Sequence, residues 1–274
     1  MTARAATSAR EPLHVDGEVI ATKKAGAYRL LTIAAPGVPA RFRPGNFVAL
    51  TVAGHVARRA FWIHRIKESS AFGPTLDIVV EPRGPGSRWL AAQPTGTRLA
   101  VTGPLGRPFA LPKEPVSCLL VGEGYAAAVL FPLAERLRER DCAVTLALAG
   151  MDEAHLVSTL EARRSARAVT VITADGSVGS RGTVGEQLPD LLRRSNAAVA
   201  YAAGPTAVLR DVARAAETCG AWSQAAVEVP GPCGTGLCHG CPLPVLGEDG
   251  VPRIVRACTE GPVVRGDRVR WAEL

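Results

Sequence analysis

Four of the seven cysteines fall in the last sixth of the chain, and their spacing limits what that region can become. Cys233, Cys238 and Cys241 form a C-x4-C-x2-C run, and Cys258 follows after sixteen residues. One loop carrying three thiols, with a distant fourth, is the plant-type spacing that holds a [2Fe–2S] cluster. Gly234, Gly236 and Gly240 lie among the thiols, where a backbone wrapping a cluster must take up unusual angles and bring N–H groups to sulfur. Zinc also takes four thiolates, usually as two C-x2-C-like knuckles, and here only one close pair exists. A disulfide set is disfavoured because the leading MTARAATSAR has no apolar core of a secretion signal. His239 sits between two of the thiols. A Rieske centre needs two histidines, so His239 reads as a neighbour of the cluster.

Bulk properties narrow the class. A chain of 274 residues with 47% hydrophobic content has room for two domains and a small appendage. No apolar run approaches the length of a membrane span. The expectation is a cytoplasmic protein that is not in the membrane, with a solvated tail over the first ten residues. The formal charge of +7 would fall to about +3 with an oxidised four-thiolate cluster and an FAD diphosphate bound. Basic residues are mostly scattered Arg without interleaved aromatics, so no nucleic-acid partner is expected.

Along the chain, the first part is short and punctuated. Alternating or β-branched segments at 17–21, 28–34, 46–52, 60–66, 76–80 and 97–101 are separated by Gly/Pro turns. Strands at this spacing predict a small antiparallel barrel over residues 12–111. After Pro115 the character changes. Strands at 116–121, 143–149, 168–173 and 197–202 alternate with helical patterns at 126–140, 153–164, 184–194 and 206–219. That alternation predicts a parallel sheet covered on both faces, over residues 115–225. Cys118, Cys142 and Cys219 fall on or beside these elements and read as small buried apolar residues. Residues 226–274 would carry the cluster.

Barrel, doubly wound α/β layer and C-terminal cluster loop, in that order, resemble one branch of the ferredoxin-reductase superfamily. The chain most resembles the electron-transfer subunit family of NAD-dependent dihydroorotate dehydrogenase over nearly its whole length. The resemblance rests on the stretches at 44–48, 58–63, 84–87, 103–106, 175–179 and 201–205, and most specifically on the cluster stretch closed by 258–263. It implies FAD and a [2Fe–2S] cluster on Cys233, Cys238, Cys241 and Cys258. The family's R-P-x-S strand becomes Arg59, Ala60, Phe61 and Trp62, with Arg59 placed to pair a diphosphate bidentately. Val79, Val80 and Glu81 match the next flavin strand, where the family usually has Arg in place of Glu81. Gly86 and Ser87 match the turn before a short helix.

At the nucleotide site the departures are larger. The family's glycine-rich turn becomes Gly122-Glu123-Gly124-Tyr125-Ala126, and its Cys before Gly204 and Pro205 becomes Ala203. A carboxylate at Glu123 opposes a pyrophosphate electrostatically, so NAD(P)H binding stays an open question here. Before the cluster, Glu228 survives from the family's E-x-R-M run. The implied function is electron transfer between a nicotinamide cofactor and the flavin of an FMN-containing dehydrogenase subunit, in a hetero-oligomer that is also compatible with a homodimer. Two alternatives come from other classes. One is a self-contained flavoenzyme whose altered pocket takes another substrate, and the other is a zinc-stabilised binding module.

Overall fold

Inward-facing residues of the first hundred positions recur with period two, as half-buried strands require. A computed structural model describes residues 11–274, and the tail expected at residues 1–10 lies outside the described residues. Six strands, β1 (Leu13–Ala25), β2 (Tyr28–Ala34), β3 (Phe47–Leu50), β4 (Arg59–Lys67), β5 (Thr75–Val80) and β6 (Arg98–Leu105), close an antiparallel barrel in the order β1-β2-β5-β4-β3-β6. Closure leaves no unpaired edge. Strand β1 is far longer than its alternating segment because it pairs with both β2 and β6, kinking between Val19 and Ala21. Val19, Leu31, Ile33, Leu50, Ile63 and Leu76 fill the interior and are fully buried. Between β5 and β6 the chain makes a short helix, α1 (Pro85–Ala91), whose first turn is closed by the Ser87 hydroxyl accepting from the Gly84 N–H at 3.1 Å.

The linker then crosses to an α/β layer. Its strands are β7 (Ser117–Glu123), β8 (Ala143–Gly150), β9 (Ala168–Thr173), β10 (Ser180–Arg181), β11 (Val199–Ala203) and β12 (Trp222–Ala226). Its helices are α2 (Leu130–Arg138), α3 (Thr159–Ser165), α4 (Val184–Ser195) and α5 (Thr206–Thr218). The C-terminal segment adds a hairpin of β13 (Pro242–Leu246) and β14 (Pro252–Arg256), the single turn α6 (Ala257–Glu260) that carries Cys258, and β15 (Val263–Arg265). Sheet order is β10-β9-β8-β7-β11-β12-β15. All pairs are parallel except the last, where β15 runs antiparallel to β12. The expected all-parallel sheet is thus capped by a strand from the cluster-bearing segment.

Several expectations need correction. The helix expected over 126–140 starts as a 3-10 turn (Gly124–Val129) and becomes α-helical only at Leu130. Pro132 explains part of this, since it has no N–H to give the Ala128 carbonyl four residues earlier. That carbonyl accepts instead from the buried imidazole of His64 on β4, at 2.9 Å. The helix expected over 153–164 is a 3-10 turn (Glu153–His155) followed by the separate α3. Cys118 and Cys142 are buried as expected, whereas Cys219 is exposed at the end of α5. Strand β12 escaped the sequence pattern because Ser223 and Gln224 are polar yet buried. Gln224 earns that place by bonding both ways to Ala110 of the linker, accepting from its N–H at 2.9 Å and donating to its carbonyl at 2.7 Å. The Tyr201 hydroxyl donates to the same carbonyl at 3.0 Å.

No helix among the described residues is long and apolar enough to cross a membrane. Leu120 sits fully buried on β7 at the centre of the sheet. Leu120→Ala is expected to cost about 2–5 kcal/mol of stability, read as a lower midpoint in chemical denaturation.

Candidate functional site

Barrel, sheet and C-terminal segment converge on one cleft of about 480 Å³. Arg59, Ala60, Phe61 and Trp62 of β4 form one wall, residues 227–232 another, and Cys241 and Cys258 lie at its end. A second cavity of about 260 Å³ continues past Arg59, Arg83 and Tyr125 to Glu81 and the 84–87 turn. The two share Arg59, Ala60, Phe61, Arg83 and Tyr125, and together form one elongated groove.

Local geometry shapes this groove. Gly86 is required because a Cβ there would stand 2.5 Å from Arg59 Nε. The Arg59 guanidinium is steadied by the Ala57 and Arg58 carbonyls, to which its Nη1 donates at 2.7 and 3.2 Å. Arg58 fastens the other side, its N–H donating to the Pro232 carbonyl and its Nη1 to Thr102 Oγ1. Trp62 is buried edge-to-face against Phe47 at 6.4 Å, and its Nε1–H donates to Glu228 Oε1 at 3.1 Å. Glu228 Oε2 accepts from the Tyr125 hydroxyl, and Arg83 pairs with Glu81 at 3.0 Å and with Glu228 at 3.8 Å. Burial raises the pKa of Glu228, and its hydrogen bonds from Tyr125 and Trp62 offset only part of that rise.

All seven cysteines are free thiols. The cluster four lie as two pairs. Cys241 and Cys258 sulfurs are 3.2 Å apart and buried, and Cys233 and Cys238 lie close enough that Cys238 helps to lower the Cys233 pKa. Backbone N–H groups of Thr235 and Gly240 donate to Cys233 and Cys238 sulfurs at 3.4 and 3.3 Å. Burial alone would raise the Cys233 pKa, yet donors from Cys238 and Thr235 outweigh it and bring the thiol down to about 5. Cys258 is pushed up to about 12 by burial and by its Cys241 neighbour. Among the described residues no three acidic, histidine or cysteine side chains converge as ligands of one metal ion. Two thiol pairs with N–H donors aimed at sulfur fit a two-iron cluster, which takes two cysteines at each iron.

Comparison with known proteins agrees with this arrangement. The family model for the iron–sulfur cluster binding domain of dihydroorotate dehydrogenase B matches residues 232–270. The dihydroorotate dehydrogenase B (NAD(+)), electron transfer subunit homolog of Thermotoga maritima is 30% identical over 243 residues, covering 88% of this chain and 83% of that one. This chain belongs to the dihydroorotate dehydrogenase B electron-transfer subunit family. The Bacillus caldolyticus electron transfer subunit is likewise 30% identical, over 87% of this chain and 91% of its own. Among solved structures, a chain of the NADH-dependent reduced ferredoxin-NADP oxidoreductase, described for flavin-based electron bifurcation, superposes with a TM-score of 0.83 at 27% identity. It covers 94% of this chain and 91% of that one. A ferredoxin reductase of carbazole 1,9a-dioxygenase shares the fold at a TM-score of 0.61 and 21% identity, over 77% of this chain and 67% of its own.

Within this family fold, the residues expected at the flavin separate into two groups. Arg59, Ala60, Phe61, Trp62, Glu81, Gly86 and Ser87 line the groove. Val79 and Val80 do not, being buried on β5 with Val80 in the barrel interior. Arg83, two positions after Glu81 and paired with it at 3.0 Å, also lines the groove, a residue sequence reasoning missed although it lies in the same turn. Gly122, Gly124, Gly204 and Pro205 lie elsewhere, at the carboxyl ends of β7 and β11. There the strand order reverses direction, the crevice where open α/β sheets bind ligands. Glu123 occupies it, packed beside Gly204, whose Cβ would lie 3.2 Å from that of Glu123. Burial raises the Glu123 pKa. Gly86→Ala forces the Arg59 guanidinium to move, and about tenfold weaker FAD binding is expected, ~1.4 kcal/mol. Flavin titration checks this, with circular dichroism confirming an unchanged fold.

Proposed function

We propose that this chain carries FAD and a [2Fe–2S] cluster and passes electrons between a nicotinamide cofactor and the FMN of a partner dehydrogenase subunit. The observation that carries this reading is the shared cleft, in which the Arg59–Trp62 wall and the thiols of Cys241 and Cys258 face one space. A flavin held there supplies the exchange between two-electron and one-electron chemistry that a hydride donor and an iron–sulfur cluster need.

Each residue then has a physical task. Arg59 presents a planar fork to a diphosphate beside Gly86, where the missing side chain lets phosphate and guanidinium approach. Arg83 offsets the Glu81 carboxylate that would otherwise repel the same group. Trp62 cannot supply the family's hydroxyl, and its fixed ring narrows the cleft instead, held by Glu228. Cys233, Cys238, Cys241 and Cys258 hold the cluster, with Thr235 and Gly240 N–H groups stabilising thiolate charge. A hydride donor would approach from the crevice at β7 and β11, where burial raises the pKa of the Glu123 carboxyl.

Protein purified without oxygen should be brown, with about two irons and one FAD per chain. Cys238→Ser should remove the cluster absorbance and most of the iron while leaving flavin in place. A colourless preparation containing zinc and no iron would overturn the reading.

A further inference from the structure

Tyr125 lines both cavities and is hydrogen-bonded to one residue from each of two other segments around them, Arg83 and Glu228. It follows β7, its hydroxyl donates to Glu228 Oε2, and it accepts from Arg83 Nη2 at 2.7 Å. The Arg83 guanidinium also lies over its ring, 4.8 Å from the centroid. A side chain of the sheet is thereby strapped to the barrel and to the segment before the cluster. The hydroxyl's partners are charged groups at the surface, Glu228 and Arg83 both being exposed, the Arg83 side chain by 62%, while the Tyr125 ring packs edge-on to Tyr28 at 6.4 Å. Such a contact can open without unfolding either domain.

The position of the strap gives it a consequence. Tyr125 directly follows the carboxyl end of β7, and it lines both cavities together with Arg59, Ala60 and Phe61. We propose that Tyr125 is a gating residue: a hydride donor reaches the flavin, and the flavin itself escapes, only when the Tyr125 hydroxyl lets go of Glu228 and Arg83. This rests on the reading that the cleft holds FAD. Tyr125 touches no reacting atom in this account, and it acts by position alone.

Tyr125→Phe keeps the ring and removes the strap. In the FAD-loaded protein it is expected to release flavin into dilute buffer at least about tenfold faster, since the hydroxyl's two hydrogen bonds, to Glu228 and Arg83, are both to charged groups. Free-flavin fluorescence follows that release. Anaerobic mixing with NADH is expected to bleach the flavin faster than in the parent, or to bleach it where the parent shows nothing, with the gain in the second-order rate constant. A merely damaged site would be slower. Glu228→Gln, which keeps an acceptor oxygen but removes its charge, should shift both readouts the same way by less, and the double variant should add little to Tyr125→Phe, because both act on the same contact. Equal flavin loss and equal bleaching in parent and Tyr125→Phe, including none in either, overturn the gate. A parent that takes up no FAD overturns the cofactor reading beneath it.

Discussion

One hydrogen bond at the seam between barrel and sheet sets the geometry of everything else. Pro132 leaves the Ala128 carbonyl without its helical donor, and His64 reaches across from β4 to fill the gap. Behind it, the Glu161 carboxylate of α3 lies 3.6 Å from the other ring nitrogen of His64 and accepts from Arg65 Nε at 2.9 Å. These contacts pin β4 against the turn after β7. Because Arg59–Trp62 are the same strand a few residues earlier, the wall of the cleft is positioned by the same seam.

The groove sets carboxylates among its cations. Glu81 and Glu228 line it with Arg58, Arg59 and Arg83, while Glu123 lies beside Gly204 in the neighbouring crevice. Glu228 is held from three sides by Trp62, Tyr125 and Arg83. Glu123 has burial as the cause of its shift and no comparable set of donors. The two carboxylates therefore differ in kind: one is a fastening, and the other stands open to whatever enters the crevice.

What the sequence made legible follows from how local the signals are. The cysteine spacing needs only one loop, and the barrel needs only period-two alternation, so both could be read directly. Arg83 is not legible in the sequence because Glu81 alone reads as a lost charge, and only the folded turn brings the two together at 3.0 Å. Strand β12 was hidden by Gln224, whose polarity makes sense only once Ala110 is beside it. The helix after β7 was drawn too long because the apolar pattern runs unbroken through a 3-10 turn, and periodicity alone cannot separate the two.

The antiparallel cap on the sheet ties completion of the sheet to the cluster-bearing segment. Strand β12 presents its outer backbone groups to solvent until Val263–Arg265 arrive to pair with them. During translation the sheet is therefore finished only after the whole cluster loop has been made, and the final thiol, Cys258, emerges five residues before its closing strand. An exposed strand edge is a template for association with other chains. A nascent or truncated chain ending after Ala226 would carry that sticky edge, so this architecture couples completion of the metal-binding segment to protection of the molecule from aggregation.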